Sequence, residues 1–256
     1  MEITYGFLSI LAISLVSLAG AFSLSLKEDK LKKIIFYLVS ISVGALLGDA
    51  FIHLIPEVFE EGIGGLTFSI SIFSGFIFFF ILEKFLRWHH SHGQDEESLD
   101  SLQSHDHSEK PLGALVIISD GAHNIIDGIL VGVSYLAGVE IGIATTIAVL
   151  LHEIPQEIGD FGLLLHAGFT VKKALLWNFL SAIFAFIGLF LAFLIGEKIE
   201  GIVPIAISIA SGGFLYIGSA DLIPELHKET NVKKSLKQFI AIIIGFLIML
   251  GMLFLE

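Results

Sequence analysis

Residues 141–168 read IGIATTIAVLLHEIPQEIGDFGLLLHAG, an apolar stretch carrying His152, Glu153, Gln156, Glu157 and Asp160 at its centre. A hydrocarbon core of about 30 Å is crossed by about 20 helical residues, so the stretch is long enough to span it. His152 lies about eleven residues in, or about 17 Å at 1.5 Å per residue, close to the midplane. An ionisable side chain at that depth costs at least about 2.5–3.5 kcal/mol, so it must face a partner rather than lipid. On a helix, His152 and Gln156 form one stripe, and Glu153 and Glu157 form the adjacent one.

The rest of the chain has the same character. Of its 256 residues, 55% are hydrophobic and 16% are charged, with a mean hydropathy of +0.88. Soluble domains carry about 25% charge. Eight segments are long enough to span, near 4–26, 33–56, 64–86, 112–136, 141–168, 172–196, 202–224 and 236–255. Backbone groups in lipid must be paired internally, and the alternation of a barrel is missing, so these are helices. The expected fold is an all-α polytopic membrane protein with eight transmembrane helices in a single membrane domain. Residues 1–86 hold helices 1–3 and residues 111–256 hold helices 4–8. Residues 87–110, RWHHSHGQDEESLDSLQSHDHSEK, are too polar to fold alone and read as a loop.

Composition excludes several classes. Without cysteine there are neither disulfides nor thiolate ligands. A net charge of −12 argues against nucleic acid as a partner. The N-terminus lacks a basic n-region and its apolar run is long enough to span, so no removable signal peptide is expected.

Cations set the orientation. Lys27, Lys30, Lys32, Lys33, Lys84, Arg87, Lys110, Lys172, Lys173, Lys228, Lys233, Lys234 and Lys237 fall in one set of loops, and only Lys198 in the other. This bias puts both termini outside the cytoplasm. Short loops favour a cell membrane, and a homodimer is the expected assembly.

An internal echo relates GALLGDAFIHLIPE (44–57) to GGFLYIGSADLIPE (212–225). Spans 2 and 7 run in opposite directions, so the echo has the form of an inverted repeat. It singles out Asp49, His53, Glu57, Asp221 and Glu225 as pathway candidates.

Span 4 contains ISDGAHNIIDGIL (118–130), with Asp120, His123, Asn124 and Asp127 on one side of a helix. One histidine or asparagine could be helix glue. Two consecutive helices with His, Asp and Glu in register require a cation. His123, Asp127, His152 and Glu153 are the primary ligand candidates, joined by Asn124, Gln156 and Glu157. Asp120 and Asp160 fit a supporting or pathway role equally well, and His166 fits an interfacial or an exit-path one. Imidazole, carboxylate and amide donors suit Zn²⁺, Fe²⁺, Mn²⁺ or Cd²⁺ better than Cu(I), and two stripes could hold two ions. Pro155 kinks span 5 between the ligands, because it cannot donate to the carbonyl of Leu151. The histidines of the polar loop, His89, His90, His92, His105 and His107, suggest weak metal binding.

HNIIDG (123–128) followed by HEIPQEIGDF (152–161) resembles the paired signatures of the ZIP metal transporters, particularly their LIV-1 branch. The resemblance covers the chain, including HLIPE in span 2. It implies inverted three-helix repeats around spans 4 and 5, a metal pair at their centre and transport toward the cytoplasm. It also implies movement of a bundle of spans 2, 4, 5 and 7, with the metal as substrate and no cofactor. Carried over by position, His123, Asp127, His152 and Gln156 form the first site, and Asn124 and Glu153, with Gln156 bridging, serve the second. Gln156 departs from the pattern, which commonly has His. The alternative is an intramembrane zinc-dependent hydrolase, since HEIPQ approximates the H-E-x-x-H zinc helix. Gln156 and Pro155 both count against it.

Overall fold

The computed structural model describes residues 2–24, 26–92, 110–196 and 201–254, and all regular structure among them is helical. His105 and His107 lie outside the described residues, as do the side chains of His89, His90, His92 and Asp221.

Seven helical stretches are long and apolar enough to cross a membrane. They are α1 (Glu2–Ser23), α2 (Asp29–Glu60), α3 (Gly65–Leu82, helical on to His92), α4 (Val116–Ala137, starting at Lys110), α6 (Val171–Gly196), α7 (Ile202–His227) and α8 (Val232–Met252). Between α4 and α6 lies α5 (Val139–His166). At 1.5 Å per residue α5 is about 42 Å long, but its polar centre from His152 to Asp160 leaves it less apolar than the other seven. The helix of α3 passes the expected boundary at 86 into the polar run. Hydropathy marks where apolar character stops, and a helix of Glu, Lys, Leu and Arg need not stop with it.

Ends are fixed by local chemistry. Gly168 adopts φ +78° after α5, and Phe169 N–H donates to Leu164 O at 3.1 Å, a left-handed C-terminal cap that suits glycine. Asn231 Oδ1 caps α8 by accepting from the N–H groups of Lys233 (3.0 Å) and Lys234 (3.3 Å).

Packing is organised by glycine. A Cβ added at Gly44 would lie 1.9 Å from Ile242 O, and one at Gly245 would lie 2.1 Å from Ile41 O, so α2 and α8 meet backbone to backbone. Gly75 and Gly212 do the same for α3 and α7, against Ile209 O and Ile72 O, both at 2.1 Å. Gly128 and Gly188 seal α4 to α6, each 1.9 Å from the partner carbonyl of Ala185 or Ile125. Without a hydrophobic force between helices in lipid, such close approach is what holds spans together. Further along, Gly48 meets Met249, Phe79 meets Gly213 and Leu136 meets Gly196, so in all three pairs the contacts advance in the same direction along both helices and the partners run parallel. Because α4 and α6 are parallel, α5 returns between them.

Burial grades the helices. Of the apolar window of α4, 61% is buried, against 17% for α3 and 28% for α8, so α4 is central and the other two are peripheral. Large apolar side chains such as Phe73, Ile118 and Phe190 point outward.

The two echoed segments share a local feature. A π-helical turn occupies Ala50–Leu54 and another Ile217–Leu222, and each runs directly into Ile-Pro-Glu. The N–H of Ile55 reaches Ala50 O and that of Ile223 reaches Gly218 O, one residue further back than in an α-helix. Pro56 and Pro224 cannot donate, and a widened turn re-pairs the carbonyls around them.

Candidate metal centre

Helices α4 and α5 cross at their middles. There His123, Asp127, His152 and Glu153 bring one donor atom each within 4.8 Å of one another. His152 Nε2 lies 3.3 Å from Asp127 Oδ2 and 3.8 Å from Glu153 Oε1. His123 Nε2 lies 3.6 Å from both of those oxygens and 3.5 Å from His152 Nε2. Donors about 2.0–2.2 Å from a tetrahedral Zn²⁺ sit roughly 3.3–3.6 Å apart, so the group already has nearly that shape.

The donors converge on a point rather than on each other. Both carboxylate oxygens of Asp127 and both of Glu153 are buried without a hydrogen bond. Buried carboxylates left unpaired are costly and call for a cation. His152 Nδ1 lies 3.2 Å from Ala148 O. A carbonyl only accepts, so Nδ1 carries the proton and the lone pair of Nε2 faces the cluster. His123 keeps 17% of its side chain exposed while the other three are sealed, which gives the centre one access side.

A second group lies one turn along. Asn124 donates to Asp120 Oδ1 at 2.8 Å, and the Ser181 hydroxyl donates to Asp120 Oδ2. Asn178, also on α6, donates to Glu157 Oε2 at 2.5 Å. Asn124 Oδ1 and Glu157 Oε1 remain buried and unpaired. Asn178 and Ser181 therefore position two site carboxylates, and sequence reading missed both. Their only signal was an i,i+3 polar pair on a helix that is otherwise apolar beyond Lys173.

Glu153, which carry-over by position assigned to a second site, shares the first group. Gln156 sits half-buried one turn beyond His152, while the residue next to His152 turns toward α4. Pro155 leaves Leu151 O without its helical donor, and the Ser42 hydroxyl of α2 supplies one at 2.6 Å. Asp160 is half-buried a turn past Gln156.

The pathway candidates separate. Asp49 Oδ2 accepts from Thr145 Oγ1 of α5 at 2.8 Å, and Asp49 Oδ1 lies 3.2 Å from His53 Nδ1. His53, Glu57, Glu60 and Glu140 line a cavity of about 500 Å³. His166 is exposed in the last turn of α5. Glu225, 55% exposed, pairs with Lys228 at 2.5 Å and takes no part in the buried centre.

Fold and site together define a membrane-embedded helical protein built round a buried imidazole–carboxylate centre suited to a divalent transition metal. The family model described as ZIP zinc transporter matches residues 2–253. The chain belongs to the ZIP zinc transporter family. It is 32% identical over 284 residues to zinc transporter ZIP4 of Rattus norvegicus, which covers 87% of this chain and 43% of the relative. It is 31% identical to metal cation symporter ZIP14 of Xenopus tropicalis, over 88% of this chain and 62% of the relative. To zinc transporter ZIP10 of Homo sapiens it is 36% identical, over 64% of this chain and 21% of the relative. The chain thus spans about two fifths to three fifths of the length of the ZIP4 and ZIP14 relatives. The hydrolase alternative falls with this membership, since ZIP proteins are transporters rather than enzymes. The second imidazole comes from α4, so no H-E-x-x-H helix is formed.

Proposed function

We propose that the protein carries divalent transition-metal ions, Zn²⁺ first among them, across a cell membrane into the cytoplasm. The observation that carries this reading is the convergence of His123, Asp127, His152 and Glu153 with their carboxylates unpaired. The ion is substrate, and Fe²⁺, Mn²⁺ and Cd²⁺ share the donor chemistry. Asn124, Glu157 and Gln156 supply a second, neighbouring ion position, with Asp120 held beside it.

In this reading α5 is the eighth span. Its length, its return between the parallel helices α4 and α6, and its contact with α4 support that. Helices 1–3 and 6–8 form inverted repeats around α4 and α5. The echo-matched glycines Gly44 and Gly212 support this, since one seals α2 to α8 and the other seals α7 to α3. All eight spans make one membrane domain, with 87–110 linking spans 3 and 4. The lysine bias places both termini outside the cytoplasm, and there the cavity lined by His53, Glu57, Glu60 and Glu140 gives a cation an acidic way in. The working unit is a homodimer.

Purified protein in sealed vesicles tests the reading. Radioactive Zn²⁺ should accumulate inside, with Cd²⁺ competing more strongly than Mg²⁺. Vesicles no more permeable than protein-free ones would sink it.

A further inference from the structure

At one end of the molecule the parallel helices α2 and α8 begin side by side and leave a cleft between them. The cleft holds a cavity of about 420 Å³ lined by Lys32, Lys33, Lys234 and Lys237, with Phe36 and Tyr37 as its floor. Asp29 and Glu229 also line it, so among the described residues four ammonium groups face two carboxylates. Glu229 is already engaged. Its Oε2 accepts from Lys234 Nζ at 2.8 Å and its Oε1 from Asn231 N–H at 3.0 Å, and the Lys234 bond holds its carboxyl below the ordinary range.

The cleft lies where the polar ends of these helices give way to apolar rods. Phe36 and Tyr37 meet edge to face, with centroids 5.2 Å apart, at the level where aromatic rings gather in membrane proteins. Down the face of α8 that carries Lys237, at the positions three, seven and eleven residues on, Ile240, Ile244 and Ile248 are exposed. The backbone donors at the start of α8 are taken by Asn231, so attraction for an anion comes from the lysines. A basic opening above an aliphatic wall matches a molecule with a phosphate at one end and acyl chains at the other.

We infer that the cleft between α2 and α8 binds the phosphate headgroup of an anionic phospholipid, whose acyl chains lie along the exposed face of α8. Such a lipid would brace the pair of helices whose other contact is the Gly44–Gly245 seam, and α2 in turn supports the centre through Ser42 and Asp49.

Native mass spectrometry of the full chain in detergent tests this, with phosphatidylglycerol and phosphatidylcholine of identical chains offered separately. Phosphatidylglycerol adducts should survive at energies that strip phosphatidylcholine. The double substitution Lys33→Glu and Lys237→Glu should weaken them by on the order of tenfold or more. Lys33→Arg with Lys237→Arg should retain them, and Lys172→Glu with Lys173→Glu, in the first turn of α6, should leave them unchanged. Equal retention of the two lipids, or equal loss from the Lys172/Lys173 variant, would overturn the inference. Thermal protection by inorganic phosphate matching that by phosphatidylglycerol would also overturn it, because it would make the cleft a site for a free anion. Should the Glu variant not fold, adducts surviving undiminished in Lys33→Gln with Lys237→Gln would overturn it as well.

Discussion

The hydroxyl of Ser42 on α2 donates to the carbonyl oxygen of Leu151 on α5 at 2.6 Å, filling the place that Pro155 leaves empty. Its single proton is shared with Leu38 O at 2.8 Å in its own helix. A kink between candidate metal ligands is thus stabilised from a neighbouring helix. Ser42→Ala should lower stability by about 1–2 kcal/mol, read as thermal unfolding in detergent. In a Pro155→Ala background the alanine N–H can reach Leu151 O, so the same change should cost much less. Equal losses in both backgrounds would show that the bond has nothing to do with the proline.

Glu153→Gln keeps the shape of the side chain but removes the charge that a dication would neutralise. Zn²⁺ binding by the purified protein should weaken by at least about tenfold, measured by calorimetry. His152→Ala should abolish uptake, since it removes a ligand and strands two buried carboxylates. Transport by His152→Ala at the parental rate, with surface expression matched, would move the site elsewhere.

Gln156→His places a third imidazole within a turn of His152. Imidazole holds Zn²⁺ better than a carboxamide, and an ion held more tightly leaves more slowly. The half-saturating Zn²⁺ concentration should fall while maximal flux stays equal or drops. An unchanged concentration dependence would mean that position 156 does not reach the ion.

Gly128→Ala sets a methyl group 1.9 Å from Ala185 O, so α4 and α6 must part. The cost should be about 1–3 kcal/mol or more, seen as loss of a monodisperse peak in gel filtration. Gly159→Ala, where no atom lies within 4 Å of the added carbon, should behave as the parent. The two changes are chemically identical, so a similar outcome for both would refute the packing argument.

Because the chain has no cysteine, single cysteines report topology cleanly. Glu61→Cys and Val139→Cys should react with an impermeant reagent applied to intact cells, and Ser235→Cys should not. Labelling only at 235 would invert the molecule and reverse the direction of transport.

The candidate metal centre was legible in the sequence as a cluster because its residues have no other reason to be where they are. His123, Asp127, His152 and Glu153 stand at helical spacing in the middle of apolar stretches, and the structure brings them together. Their supports were not legible. Ser134, Ser208 and Ser211 bond to carbonyls four residues back in their own helices, and Thr146 does the same. Ser42, Thr145 and Ser181 look identical in sequence yet reach across to other helices. The π-helical turns before Pro56 and Pro224 were equally hidden, since proline announces a disturbance but not how the backbone absorbs it. The echo matched Glu225 to Glu57, yet Glu57 lines a cavity while Glu225 pairs with Lys228 at the surface.

The three glycine seams decide which helices can travel together. A moving bundle of α2, α4, α5 and α7 would have to shear α2 from α8, α7 from α3 and α4 from α6, tearing all three at once. Where carbonyls sit against Cα atoms there is no lubricating side chain to slide on, and the joint behaves as a weld. The boundary between α2 and α5 is of another kind. Ser42 on Leu151 O and Thr145 on Asp49 are single hydroxyl latches, which can let go and re-engage one helical step along. Sliding in this molecule is therefore expected between α2 and α5, with α8 riding on α2 and α6 on α4.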